Sequence, residues 1–260
     1  IRYQEYSPTF FLDVDYIIIT HHHGDHLNPS TLVRVLNKYP HIKIIICEFM
    51  WNMIISDRFR PEYIKREKGE EVPFGHDINY KTDSKGNRLK KKPRYRNDFL
   101  KHQSKFIEAY PQTLTTHTKR SFLIEPLTVK HGDIVNIAIQ LSDPDLNLEL
   151  LYASDLDNLN GGRTFIDCFG NTQEVDGLNQ ERIYNCMFLE ANYDEEILQK
   201  WYSNLDPDDP EYIGKKARAD GNLRHISEQE ASIYIEKHLS DNGVFIPLHA
   251  SKTFGTLHQE

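Results

Sequence analysis

Cysteine is scarce in this chain. Its 260 residues include three, Cys47, Cys168 and Cys186, with no CxxC spacing among them. That scarcity argues against a disulfide framework and against a thiolate metal cluster. Long apolar runs are missing too: no stretch approaches the ~20 residues a membrane-spanning helix needs. The opening residues Ile1-Arg2-Tyr3-Gln4-Glu5 show none of the regions of a secretory signal and no initiator Met. Basic charge is in deficit, with 31 Lys+Arg against 39 Asp+Glu and a formal net charge of −8. Proteins that coat nucleic acid without specificity need the opposite balance. Apolar residues reach 38%, a low share, yet 13 Phe, 14 Tyr and runs such as Ile42 to Cys47 supply a core. The expectation is a cytoplasmic protein that does not enter the membrane.

What is present reads as layered α/β. Val14 to Thr20 is a β-branched run with the length of a buried strand, and it leads into His21-His22-His23-Gly24-Asp25-His26. Asn28-Pro29-Ser30 then offers helix-start chemistry, with Leu32, Val33, Leu36 and Tyr39 at helical spacing. A second strand follows over 41–48 and a short helix over 50–59. From Lys81 to Arg96 eight residues of sixteen are basic, which reads as an exposed insertion or hairpin. Strands are expected again over 121–124 and 127–129, then over 134–141 and 148–152 as a hairpin through Ser142-Asp143-Pro144-Asp145. Residues 156–181 read as loop. A strand over 185–190, a helix over 194–202, a capped helix from Ser227 to Leu239 and a last strand over 244–248 complete the chain. There is no internal repeat and no linker, so one domain over 1–260 is expected, with a basic insertion around 60–118.

The densest chemistry is His21-x-His23-x-Asp25-His26. Residues two apart at a strand end face one side, so His21 and His23 can grip one metal together. The turn at Gly24 swings Asp25 and His26 toward a second. Imidazole and carboxylate without thiolate suit a catalytic divalent ion, not a structural zinc. At this chain's own residue frequencies the pattern arises by chance in roughly one such chain of 400.

This motif resembles the HxHxDH signature of the metallo-β-lactamase superfamily. The resemblance implies a four-layer αββα sandwich with two metal ions between its sheets. It also implies three further ligands at later strand ends, and His131, Asp155 and His249 stand in the matching places. One ion would be held by His21, His23 and His131, the other by Asp25, His26 and His249, with Asp155 bridging. Asp25 would also orient the bridging hydroxide. The C-terminal third resembles the RNase Z-like phosphodiesterase branch: Leu189-Glu190-Ala191-Asn192 matches its Glu-Ala-Thr element. His225-Ile226-Ser227 matches its His-containing element before a helix. Carried over, His225 protonates the leaving oxygen and Glu190 orients it.

The chain departs from that branch in four ways. Only residues 1–20 precede the motif, which implies N-terminal strands trimmed from the given sequence. The interval from His131 to Asp155 has room for a hairpin and not for a tRNA-gripping arm. Leu189 replaces a His, and Asn136-Ile137 stands where a Gly-Tyr pair is common. A small nucleotide substrate therefore gains weight, and a 3′,5′-cyclic nucleotide is its sharpest form, as in the related anti-Pycsar phosphodiesterases. An RNA or DNA nuclease, an ester or lactone hydrolase and a non-catalytic nucleotide binder are the alternatives. Zinc is the expected metal, with Mn, Co or Fe as substitutes, and a homodimer is the expected assembly.

Overall fold

The structure is a computed structural model that describes residues 10–23, 26–55, 63–67, 70–74, 96–132, 134–166, 172–178 and 180–257. The polypeptide divides into two compact units, 1–109 and 110–260. Both mix helix and strand.

The first unit is built on a parallel sheet. β1 (Tyr16–Ile19) pairs in register with β2 (Lys43–Ile46), Tyr16 opposite Lys43 and Ile19 opposite Ile46. Between them lies α1 (Pro29–Lys38), whose start follows from its sequence: Asn28 accepts a hydrogen bond from Thr31 N at 3.1 Å, and Pro29 takes the position whose missing N–H costs nothing. Leu32, Val35 and Leu36 bury one face of that helix against Ile42, Ile44 and Ile46. α2 (Glu48–Ile55) follows β2 directly and adds Met50 and Ile54 to the same core. A short hairpin, β3 (Tyr63–Glu67) with β4 (Glu70–Phe74), precedes α3 (Arg96–Lys101), which contributes the fully buried Phe99. β5 (Phe106–Glu108) closes the sheet beside β2. The basic stretch from Lys81 to Arg94 lies outside the described residues.

The second unit holds a six-stranded sheet. Its strands are β6 (Gln112–Thr115), β7 (Ser121–His131), β8 (Ile134–Asp143), β9 (Leu148–Ala153), β12 (Tyr184–Glu190) and β13 (Leu239–Leu248), in the spatial order β13-β12-β9-β8-β7-β6. β6 to β9 pair antiparallel, and β9, β12 and β13 pair parallel. It follows that β7, β9, β12 and β13 all run the same way, and their C-terminal ends lie at one edge of the sheet. Loops at the carboxyl ends of strands are where an α/β sheet can hold a ligand. The pairing of β12 with β13 is regular from Cys186 to Glu190, and its one register shift falls between Tyr184 and Cys186, at the far end.

Residues 156–181 are not all loop. β10 (Arg163–Ile166) and β11 (Thr172–Val175) form a small antiparallel hairpin, missed because their polar, Gly- and Asn-rich surroundings mask a short alternation. Three helices follow: α4 (Glu195–Ser203), α5 (Tyr212–Asn222) and α6 (Glu228–His238). α5 was unforeseen, since Gly214 and Gly221 weaken its pattern. α6 starts on the expected capping box, Ser227 Oγ accepting from Glu230 N while the Glu230 carboxylate accepts from Ser227 N. Leu151, Met187, Leu189, Ile226, Ala231 and Tyr234 form the main core of this unit. No described helix is long and apolar enough to cross a membrane.

Candidate metal centre

In the first unit the histidines lie just past β1. The backbone turns at once, with His26 N donating to His23 O at 3.0 Å and Leu27 N to the same oxygen at 2.7 Å. That turn folds His26 back, so its ring sits 4.1 Å from that of His21, and His23 lies 4.9 Å from His21 on the other side. His21 is fully buried and its Nδ1 lies 3.2 Å from Thr20 Oγ1. Such a contact orients the ring. His22, for which no role was expected, is buried as well. Asp25 lies outside the described residues.

In the second unit the strand edge brings the later residues together. His131 ends β7, Glu190 ends β12, Asp155 stands two residues past β9 and His249 one past β13. Asp155 Oδ1 lies 3.2 Å from His249 Nε2. His131, Asp155 and His225 offer ligand atoms all within 4.8 Å of one another, and so do Glu190, His225 and His249. The rings of His225 and His249 stack at 4.6 Å, and that of His131 lies 4.8 Å from His225. Three imidazoles and two carboxylates, with no thiolate among them, fit a borderline divalent cation such as zinc.

Backbone strain marks the same two positions. Asp155 has φ +57° and His249 φ +55°, in the left-handed region that residues with a Cβ avoid. Surrounding hydrogen bonds hold both. Buried Asn136 donates from Nδ2 to Ser154 O at 2.6 Å and to Asp155 O at 2.7 Å, and Ser154 Oγ donates to Asp155 Oδ2 at 2.6 Å. Asn192 Nδ2 donates to His249 O at 2.7 Å and lies 3.0 Å from its Nδ1. Strain of this kind persists where neighbours over-determine the backbone, and it concentrates at functional sites.

Glu190 is fully buried and uses both oxygens. Oε2 accepts from Leu156 N at 2.7 Å, next to Asp155, and Oε1 lies 2.5 Å from His225 Nδ1. A carboxylate at that nitrogen selects the Nδ1–H tautomer and aims Nε2 outward. The loop bearing His225 is sewn to the end of β12, Asn192 N donating to Ile226 O and Glu228 N to Tyr193 O. On the far side, Asp157 accepts from Lys130 Nζ at 2.6 Å and from Gly132 N at 3.2 Å. It thereby ties the turn after His131 to the loop after Asp155.

Asn136, Asn192 and Asp157 escaped the sequence reading as site residues. Asn136 had a visible signal, a lone amide between Val135 and Ile137 in a β-branched strand. Such a group is buried only if it is hydrogen-bonded.

No family model matches the sequence, and no curated protein matches it. Solved structures do. The short form of human tRNase Z aligns at 13% identity over 95% of this chain and 74% of its own, with a TM-score of 0.41. The metallo-β-lactamase fold protein YhfI of Bacillus subtilis gives 13%, 94%, 68% and 0.43 for the same quantities. Unliganded yeast PDE1 gives 12%, 92%, 58% and 0.42. At such identities the chemistry of this chain has to be read from its own side chains.

Proposed function

We propose that the chain is a metallo-β-lactamase-fold hydrolase that cleaves nucleotide phosphodiesters with two divalent cations. The observation that carries this is the pairing of His225 with buried Glu190, standing beside His131, Asp155 and His249 at one sheet edge. In this reading the imidazoles after β1 complete the centre, His21, His23 and His131 serving one ion and Asp25, His26 and His249 the other, with Asp155 shared. Zinc is the first candidate metal, with Mn, Co or Fe next.

When bound, two such ions would supply an activated water and neutralise charge on the phosphate. The protein's own part is then the proton. An alkoxide leaves poorly, so a donor must reach it. His225 would be that donor: with both ring nitrogens protonated, Nδ1–H is held by Glu190 and the Nε2 proton goes to the departing oxygen. Leu156 N holds the carboxylate in place while the histidine changes charge. By the motif resemblance, Asp25 would orient the attacking oxygen. A 3′,5′-cyclic nucleotide is one form of this substrate class, a linear RNA or DNA diester another. We further propose a homodimer working in the cytoplasm, where Cys47 and Cys186 remain free thiols.

The test is hydrolysis by the zinc-, manganese- or cobalt-loaded protein of cyclic mononucleotides, bis(p-nitrophenyl) phosphate and a short RNA. Each is run with wild type and His225→Ala. Metal-dependent cleavage of a nucleotide diester, lost in the variant, is the expected result. A folded, metal-loaded sample that cleaves none of the three would sink the proposal.

A further inference from the structure

Beside His225 and His249 the second unit opens into a pocket of about 440 Å³. Asn192, Arg218, Asn222 and Ser251 line it together with the two histidines, and none of its lining residues is acidic. Its one formal charge is the guanidinium of Arg218. α5 supplies the cation. Its other two cations are engaged, Lys215 Nζ with Asp209 at 2.6 Å and Lys216 Nζ with Asp220 at 2.8 Å. Among the described residues, Arg218 has no carboxylate partner. The helix is fixed by fully buried Ala219, which packs with Tyr193, Leu198 and Phe254. Arg218 and Asn222, four residues apart, share the face that lines the pocket. The chain then turns directly into the histidine, His225 N donating to Asn222 O at 3.0 Å.

We propose that this pocket is a phosphate subsite, with Arg218 as its cation, for a nucleotide bearing a second phosphate on the leaving-group side of the scissile diester. The assignment rests on the phosphodiesterase reading, which makes His225 the donor to the leaving oxygen. Whatever that oxygen carries would enter the pocket that His225 shares with Asn192, Arg218, Asn222 and Ser251. A guanidinium matches a phosphate with paired N–H donors, and the Asn192 and Asn222 amides and the Ser251 hydroxyl add neutral polar groups around it. A neutral sugar or base would not call for an unopposed arginine. The substrate class narrows accordingly to linear or cyclic nucleotides with at least two phosphates.

Calorimetric titration of the metal-loaded full chain with adenosine 3′,5′-bisphosphate and with adenosine 5′-monophosphate tests this. Wild type should bind the bisphosphate at least tenfold more tightly. Arg218→Ala should erase that advantage and leave the monophosphate affinity within twofold, and Arg218→Lys should keep part of it. Equal affinities in wild type, or an advantage that survives Arg218→Ala, overturns the subsite. Hydrolysis of bis(p-nitrophenyl) phosphate, which has no second phosphate, separates the two claims. Turnover without a bisphosphate preference removes the subsite alone. A preference lost in Arg218→Ala without any turnover keeps the phosphate pocket and removes the phosphodiesterase.

Discussion

Glu190 Oε1 stands 2.5 Å from Nδ1 of His225, although the two residues come from the end of a strand and the approach to a helix 35 positions later. The same carboxylate grips the backbone beside Asp155 through Leu156 N. One buried group thus sets the tautomer of His225 and pins the backbone next to Asp155.

Loss of the donor should therefore depend on the leaving group. His225→Ala is expected to slow cleavage of alkyl nucleotide diesters by about 10²–10⁴-fold. On bis(p-nitrophenyl) phosphate, whose nitrophenolate departs unaided, the loss should stay under about tenfold. Glu190→Gln should resemble a milder His225→Ala. Equal losses on both substrates would show that His225 holds metal and does not donate a proton.

Asn136 should matter to stability and to metal retention together. Asn136→Ala leaves the buried oxygens of Ser154 and Asp155 without their shared donor, a cost of about 2–3 kcal/mol. Urea unfolding reads the first effect, and residual zinc after dialysis against a weak chelator reads the second. Full zinc retention in the variant would mean that Asp155 is positioned without it.

Metal should stabilise the fold by mass action. Zinc at a hundred times its dissociation constant adds about 2.7 kcal/mol, seen as a rise in Tm that a strong chelator reverses. His249→Ala should lose most of the rise. A Tm indifferent to zinc and chelator alike would argue that these donors do not form a metal centre.

High pH should unfold the second unit early. Burial pushes the Tyr184 phenol up to about 12, and burial together with Tyr184 raises that of Tyr234, to which it is hydrogen-bonded. Unfolded tyrosines ionise near 10. The stability these phenols contribute is thus complete below pH 10 and lost as pH rises through about 12. Urea midpoints should fall steeply between those values, less so in Tyr234→Phe. An identical fall in both proteins would remove Tyr234 from the account.

The strand-end positions were legible in the sequence because they leave a double signature, an apolar run followed by His or Asp. Val129-Lys130-His131 and Ile246-Pro247-Leu248-His249 show it, and the structure puts both histidines at the end of strands. The capping box at Ser227 was equally plain, since its hydrogen bonds span three residues. What stayed hidden depends on contacts distant in sequence. Asn136 meets Asp155 across a strand pair, Asn192 meets His249 across 57 positions, and α5 gains its place from a single buried alanine. The parallel run of β7, β9, β12 and β13, which sets all four ends at one edge, is a property of pairing order that no local pattern contains.

The register shift in the large sheet sits between Tyr184 and Cys186, and from Cys186 on β12 pairs without interruption, with β13 to Glu190 and with β9 to Leu189. The two ends of this strand should consequently differ in their tolerance of length change. An inserted or deleted residue near Tyr184 meets a ladder already out of step and can be taken up there. The same change between Cys186 and Leu189 would rotate Glu190 to the opposite face of the sheet, because side chains alternate at every residue. Related chains should therefore vary in length before Cys186 and keep a fixed count from there to the glutamate.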